Sequence, residues 1–197
     1  HIKNVPGRKT DIEDSKWLAG LLRHGLLKGS FIPPHEVRQW RDLTRLRRTY
    51  VETVSDYKRR THKLFETANI KIDSVVSDLF GTTGRNLMRL LITGGDLTPA
   101  DISRCARGKL KRKEEELYRS IQGFFEDHHR YLLSSLLETI AVLETQIEGL
   151  NTRLRTVMSS REPLLERLIE VAGISEVSAR AILAEIGPTL DTFRSSA

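Results

Sequence analysis

From Leu133 onward the apolar residues Leu133, Leu136, Ile140, Leu143, Ile147, Leu150, Leu154 and Val157 recur at three- and four-residue steps without a fault. Such spacing lines one face of an α-helix, and over more than three heptads it demands an equally long partner for the seam. A coiled coil meets that demand, as does an amphipathic helix laid on an ordinary bundle. A second long helical pattern, from His35 to about Asn69, repeats the steps with Leu43, Leu46, Tyr50, Val54, Tyr57, Leu64 and Ala68. It predicts a helix about 50 Å long. The intervening residues 70–112 are broken by Gly81, Gly84, Gly94, Gly95, Pro99 and Gly108, so short helices are expected over 83–93 and 98–107. That stretch is read as a cap that turns the chain back and sets the two long helices antiparallel. Helix is expected to resume near Lys113.

The two ends read differently. Pro6-Gly7 and Arg8-Lys9 form a loop-like entry to a helix from about Asp11 to His24, with Trp17, Leu18, Leu21 and Leu22 on one face. Ser30-Phe31-Ile32-Pro33-Pro34 reads as extended, because each proline biases its predecessor away from helix. At the other end, residues 164–172 and 176–186 form two short helices about Gly173-Ile174-Ser175, stopped by Gly187-Pro188. The result is a helix-hairpin-helix-like element. The expected units are therefore 1–34, a helical scaffold at 35–162 with its cap at 70–112, and 163–197.

Hydrophobic residues are 39% of the 197 and charged residues 29%, a balance that favours long exposed helices over a thick two-layer core. The lone cysteine, Cys105, excludes an internal disulfide and a Cys-based zinc site within one chain, and fits a reducing cytoplasm. No apolar run approaches the roughly 18 residues of a membrane span. No Walker loop, nucleophile elbow or His-rich zinc pattern occurs.

The net charge of +6 is concentrated. Between Arg38 and Lys63 stand nine Lys or Arg (Arg38, Arg41, Arg45, Arg47, Arg48, Lys58, Arg59, Arg60, Lys63) against Asp42, Glu52 and Asp56, again a net +6. On one helix this is a basic stripe suited to nucleic-acid phosphates, with Trp40, Tyr50 and Tyr57 available for stacking or packing. A solvated face laced with salt bridges is the plainer alternative. A second run, Arg104, Arg107, Lys109, Lys111, Arg112 and Lys113, contains no acid.

Asp11 and Asp14, three apart, share a helix face and offer two carboxylates to a divalent metal; the dipole of a first helical turn favours acids there as well. The turn at Gly173 and Ser175 offers backbone N–H groups to a phosphate, or it is simply a packing hairpin. His128 and His129 are adjacent on a helix, diverge by about 100°, and are read as structural or phosphate contacts.

These residues resemble the DEDD-type transposases of the insertion sequence 110 family, including its 1111-like branch. Lys3-Asn4-Val5-Pro6-Gly7-Arg8-Lys9-Thr10-Asp11-Ile12-Glu13-Asp14 is similar to the family signature carrying the last two acids of a metal-binding tetrad. Trp17-Leu18-Ala19, Leu22-Arg23-His24-Gly25-Leu26-Leu27, Ser30-Phe31-Ile32-Pro33-Pro34, Arg41-Asp42-Leu43-Thr44-Arg45, Ala68-Asn69-Ile70-Lys71, Asp127-His128-His129-Arg130 and Ala181-Ile182-Leu183-Ala184-Glu185-Ile186-Gly187 extend the likeness. The resemblance implies a RuvC-like α/β nuclease domain ending at 1–34, a coiled coil at 35–162 and the start of a second catalytic domain at 163–197. It further implies Mg²⁺ held by Asp11 and Asp14 with two earlier acids, a serine nucleophile that Ser195 and Ser196 come too early to supply, a structured guide RNA, DNA, and self-association.

The sequence thus leads to a mostly α protein: an antiparallel coiled-coil scaffold with a helical cap, a RuvC-like remnant and a helix-hairpin-helix-like end. It reads as an internal piece of a DNA transposase that is inactive alone. Expected phosphate contacts are Arg38, Arg41, Arg45, Arg48, Arg59, Arg60, Lys63, Lys109, Lys111, Arg112, Gly173 and Ser175. The competing reading is a coiled-coil interaction protein whose basic helix serves only solubility.

Overall fold

The computed structural model describes residues 10–27, 32–95 and 97–189. The Lys3–Lys9 part of the signature, Ser30-Phe31, Ser195 and Ser196 lie outside them. The described residues fold into helices and turns with no strand among them. The helices are α1 (Asp11–Arg23), α2 (His35–Thr67), α3 (Thr82–Thr93), α4 (Pro99–Cys105), α5 (Glu114–Ser120), α6 (Asp127–Val157), α7 (Glu162–Ile169) and α8 (Glu176–Ile186).

The boundaries follow from local chemistry. Thr10 caps α1 by accepting from the Glu13 N–H, and Gly25 at φ 66° ends it, with the Leu26 N–H on the Leu21 carbonyl and the Gly25 N–H on the Leu22 carbonyl. Pro34, extended at φ −51° and ψ 154°, precedes α2. Asn69 closes α2 in the same way as Gly25 closes α1: it stands at φ 53°, which its short amide side chain tolerates, while the Ile70 N–H reaches the Phe65 carbonyl.

Helices α2 and α6 run antiparallel. Trp40 lies beside Val157, Arg47 beside Asn151, and Phe65 beside Phe125. All eight residues of the α6 seam are at least half-buried, with Leu133 and Ile140 fully so. Burying each such side chain is worth about 1.5–3 kcal/mol. On α2, Val54, Leu64 and Ala68 are buried, whereas Leu46 is 42% exposed. Leu46 therefore stands outside the expected stripe, and the neighbouring Arg47 turns inward to donate to Asn151 Oδ1 at 2.6 Å.

The cap packs against this pair. Leu87, Met88, Ile102 and Leu117 from α3, α4 and α5 join Val54, Phe65, Leu133 and Ile140 in one buried cluster. Helix does not run on from Lys113 as expected. It breaks between Ser120 and Asp127, where Gly123 lies against the end of α2. A Cβ there would come within 2.4 Å of the Ala68 carbonyl oxygen, and the next N–H, of Phe124, donates to that oxygen at 2.8 Å.

The carboxy-terminal helices do not stand apart from the scaffold. Leu165, Ala179, Leu183 and Ala184 form a second buried cluster with Val37 and Trp40 of α2, Leu154 of α6 and Met158. Gly173, at φ 90°, makes the turn between α7 and α8, and Gly187, at φ 83°, ends α8.

Candidate nucleic-acid interface

Helix α2 presents two faces because its apolar and basic residues interleave at helical spacing. Trp40, one of the aromatics available for stacking on sequence grounds, is 1% exposed, with its indole N–H on the Val157 carbonyl at 3.3 Å; it packs. Tyr57 is half-buried beneath the Arg60 guanidinium, 5.7 Å from its ring centre.

The nine cations separate into distinct roles. Arg41, half-buried, donates to the last carbonyls of α8, from Nε to Ala184 O at 2.8 Å and from Nη2 to Glu185 O at 2.5 Å. One turn on, Arg45 grips the Glu185 carboxylate with two bonds of 2.9 Å. Arg48 pairs with Glu52 at 2.8 Å and Arg59 with Asp56, all four side chains being largely exposed. The Lys58 ammonium lies 5.0 Å from the Phe80 ring centre. Arg38 and Lys63 are exposed and form no salt bridge with a described residue.

At the start of α2, His35, Arg38, Arg41 and Arg45 line a shallow groove of about 380 Å³ with Pro33, Gln39 and Asp42. Charge there is predominantly positive. A larger groove of about 830 Å³ lies between α2, α6 and α8, with Val51, Leu154, Val177 and Ala181 along it and Arg45, Arg48, Arg155 and Arg180 at its edges. Sequence reasoning passed over Arg155 and Arg180, since neither falls in a basic run. Arg180 is 5% exposed and reaches both Glu162 and Glu176; Arg155 reaches Glu176 and Glu148. Its hydrogen bond from Arg180, aided by Arg155, holds the Glu176 carboxyl below the usual carboxylate range, and the Arg45 bond does the same for Glu185.

The remaining expected residues are scattered. Lys109, Lys111 and Arg112 are exposed on a 3-10 stretch, Gly108–Lys113, and form no salt bridge with described residues. Gly173 is exposed, and a Cβ on it would meet nothing within 4 Å. Ser175 spends its hydroxyl capping α8, accepting from the Ser178 N–H at 3.2 Å. His129 accepts the Glu126 N–H through Nδ1 at 3.2 Å and stacks on Phe125, a structural role.

Asp11 and Asp14 both lie exposed in the first turn of α1, none of whose residues is buried. Among the described residues no group of three or more His, Cys, Asp or Glu side chains converges on a metal-sized site. The two carboxylates offer the hard oxygen donors that Mg²⁺ prefers, and they make up only part of a ligand set. Among the described residues no helix is long and apolar enough to cross a membrane.

No curated protein and no solved structure shows a significant match to the chain. Residues 2–70, the stretch spanning α1, the proline pair and the whole of α2, match the family model described as a transposase, of the DEDD-type insertion sequence 110 kind. Over that segment, about a third of its length, the chain is similar to the insertion sequence 110 family of transposases.

Proposed function

We propose that this chain engages the nucleic acids of a transposition reaction, with α2 laying its exposed basic face along the phosphates of DNA and of a structured guide RNA. The observation that carries this reading is the concentration of the chain's +6 net charge in residues 38–63, a stretch that lies wholly within the family match. Phosphate contacts of this type position a polyanion without reading its sequence, as suits a protein whose targets are chosen by pairing with RNA. Lys109, Lys111 and Arg112 supply a second contact region. The α2 and α6 pair serves as a scaffold, and the chain self-associates through this coiled coil. Residues 1–34 act as the end of a RuvC-like domain, 35–162 as the scaffold and 163–197 as the start of a second catalytic unit.

In the complete transposase the reaction is DNA strand cleavage and exchange. Asp11 and Asp14 fit Mg²⁺ in donor chemistry, and the bound ion supplies charge stabilisation at a reacting phosphate. Asp11 and Asp14 are the two carboxylates this chain offers to that ligand set among the described residues. The competing reading, a coiled-coil interaction protein, leaves the transposase match unexplained.

The test is a salt titration of RNA and duplex DNA binding by the wild type and by a variant with Arg38→Glu and Lys63→Glu. These positions are chosen because neither side chain is in a salt bridge with a described residue, so the fold should be undisturbed. The double variant should weaken binding of related and unrelated sequences alike, and its plot of log affinity against log salt should be shallower by roughly 1.8, at about 0.9 per phosphate contact. Wild-type affinity and slope in the variant would refute the interface.

A further inference from the structure

Helix α8 presents one acidic side chain to the basic face of α2. Glu185 accepts two hydrogen bonds of 2.9 Å from Arg45 Nε and Nη2. This is the planar two-point grip with which an arginine holds a phosphate. Both partners are substantially exposed, with 63% of the Arg45 side chain and 48% of the Glu185 side chain open to solvent. Arg41 also faces Glu185, at 3.6 Å from its carboxylate, while its Nε and Nη2 donate to the Ala184 and Glu185 carbonyls. The backbone of α8 is therefore tied to α2 independently of the Glu185 carboxylate, and the buried cluster of Trp40, Leu183 and Ala184 ties it further. The carboxylate can leave Arg45 with α8 still docked.

We infer that Glu185 is a built-in phosphate mimic on this surface: its carboxylate occupies Arg45 until a phosphodiester group entering the groove beside Arg38 and Arg41 takes its place. The inference rests on the nucleic-acid reading of α2 and deepens it by naming an exchange site. Such a site discriminates by charge density. A polyanion that brings several phosphates at once to Arg38, Arg45 and Arg48 can compete with a tethered carboxylate, whereas a single surface acid on another protein cannot. No covalent chemistry is involved; one charge-assisted pair is replaced by another.

The experiment is a double-mutant cycle on binding of a fluorescent 20-base-pair duplex at ~50 mM salt, with wild type, Glu185→Gln, Arg45→Gln and the double variant. Removing the competitor should tighten binding about two- to fivefold, the scale of an exposed pair. It should also steepen the salt slope by up to about 0.9. The gain should vanish when Arg45 is already Gln. A gain that persists in the Arg45→Gln background would show a general charge effect and overturn the exchange site alone. Unchanged or weaker binding by Glu185→Gln, with wild-type binding intact and unchanged circular dichroism, would overturn it as well. Absence of binding in all four proteins would overturn both the exchange site and the proposed function.

Discussion

Replacing Trp40 by alanine tests whether α7 and α8 are held by their own core. Trp40 is 1% exposed and is the largest member of the cluster that joins Val37, Leu154, Met158, Leu165 and Leu183. Truncating a buried tryptophan removes its transfer free energy and leaves a cavity, which together cost about 3–5 kcal/mol. A domain of this size is stable by about 5–15 kcal/mol, so the chain should remain folded while its carboxy-terminal end loosens. Urea denaturation followed by circular dichroism gives the total, and hydrogen exchange locates it. Amides of α8 near Leu183 should exchange much faster, while those near Leu87 and Met88, in the other cluster, should change little. A Trp40→Phe variant keeps a six-membered ring but loses the bond to the Val157 carbonyl and the volume of the pyrrole ring, so its cost should fall below that of Trp40→Ala. A total loss under about 1 kcal/mol for Trp40→Ala, or equal acceleration in both clusters, would refute the division into two cores.

Gly123→Ala should destabilise the chain by about 1–3 kcal/mol, because its new methyl would meet the Ala68 carbonyl oxygen at 2.4 Å; denaturation midpoints measure it, and a neutral effect would contradict the tight contact. The Glu176 and Glu185 carboxyls are held below their ordinary range by arginine, so the stability they contribute is present above about pH 4.3 and is lost as the pH falls through their lower folded values. Melting temperature should therefore fall on acidification, and more gently in a Glu176→Gln, Glu185→Gln variant; identical acid profiles would count against these pairs. Paramagnetic Mn²⁺, used as a probe for Mg²⁺, should broaden amide signals confined to residues near Asp11 and Asp14, and Asp11→Asn with Asp14→Asn should abolish it. Broadening that survives the double substitution would remove the metal role from this pair.

The long helices were legible because their apolar period is unbroken over many turns, and the ends of α2 and of the short α8 because Pro34, Asn69 and Gly187 are residues with strong backbone preferences. The break before α6 was not legible from Gly123 alone. That glycine matters through a contact with Ala68, more than fifty residues away, and local pattern carries no record of such contacts. Leu46 fitted the period of α2 and yet lies exposed, since the partner surface beside it is filled by Arg47 and Asn151. The same blindness to tertiary partners hid Arg155 and Arg180, which gain significance only when α8 packs across α2 and α6.

The basic helix shows how a charge count read from sequence overstates what is available to a ligand. Arg41 is committed, because it is half-buried and satisfies two carbonyls at the end of α8 that would otherwise lack partners. Arg48 and Arg59 are paired, but their partners are exposed, and pairs of this kind contribute about 0–1 kcal/mol, so a phosphate can replace Glu52 or Asp56 at little cost. Arg38 and Lys63 need displace no described partner. These classes yield different salt dependences on duplex DNA. In a background with Lys109, Lys111 and Arg112 changed to Gln, Arg38 and Lys63 acting alone give a slope of roughly −1.8, and adding Arg45, Arg48 and Arg59 brings it to roughly −4.5. A measured slope near the first value would mean that the intramolecular pairs persist in the complex and that Glu185 keeps Arg45. A slope near the second would mean that phosphates displace the carboxylates along the whole face. The slope thus decides whether α2 binds as a preformed surface or exchanges its internal partners for phosphates.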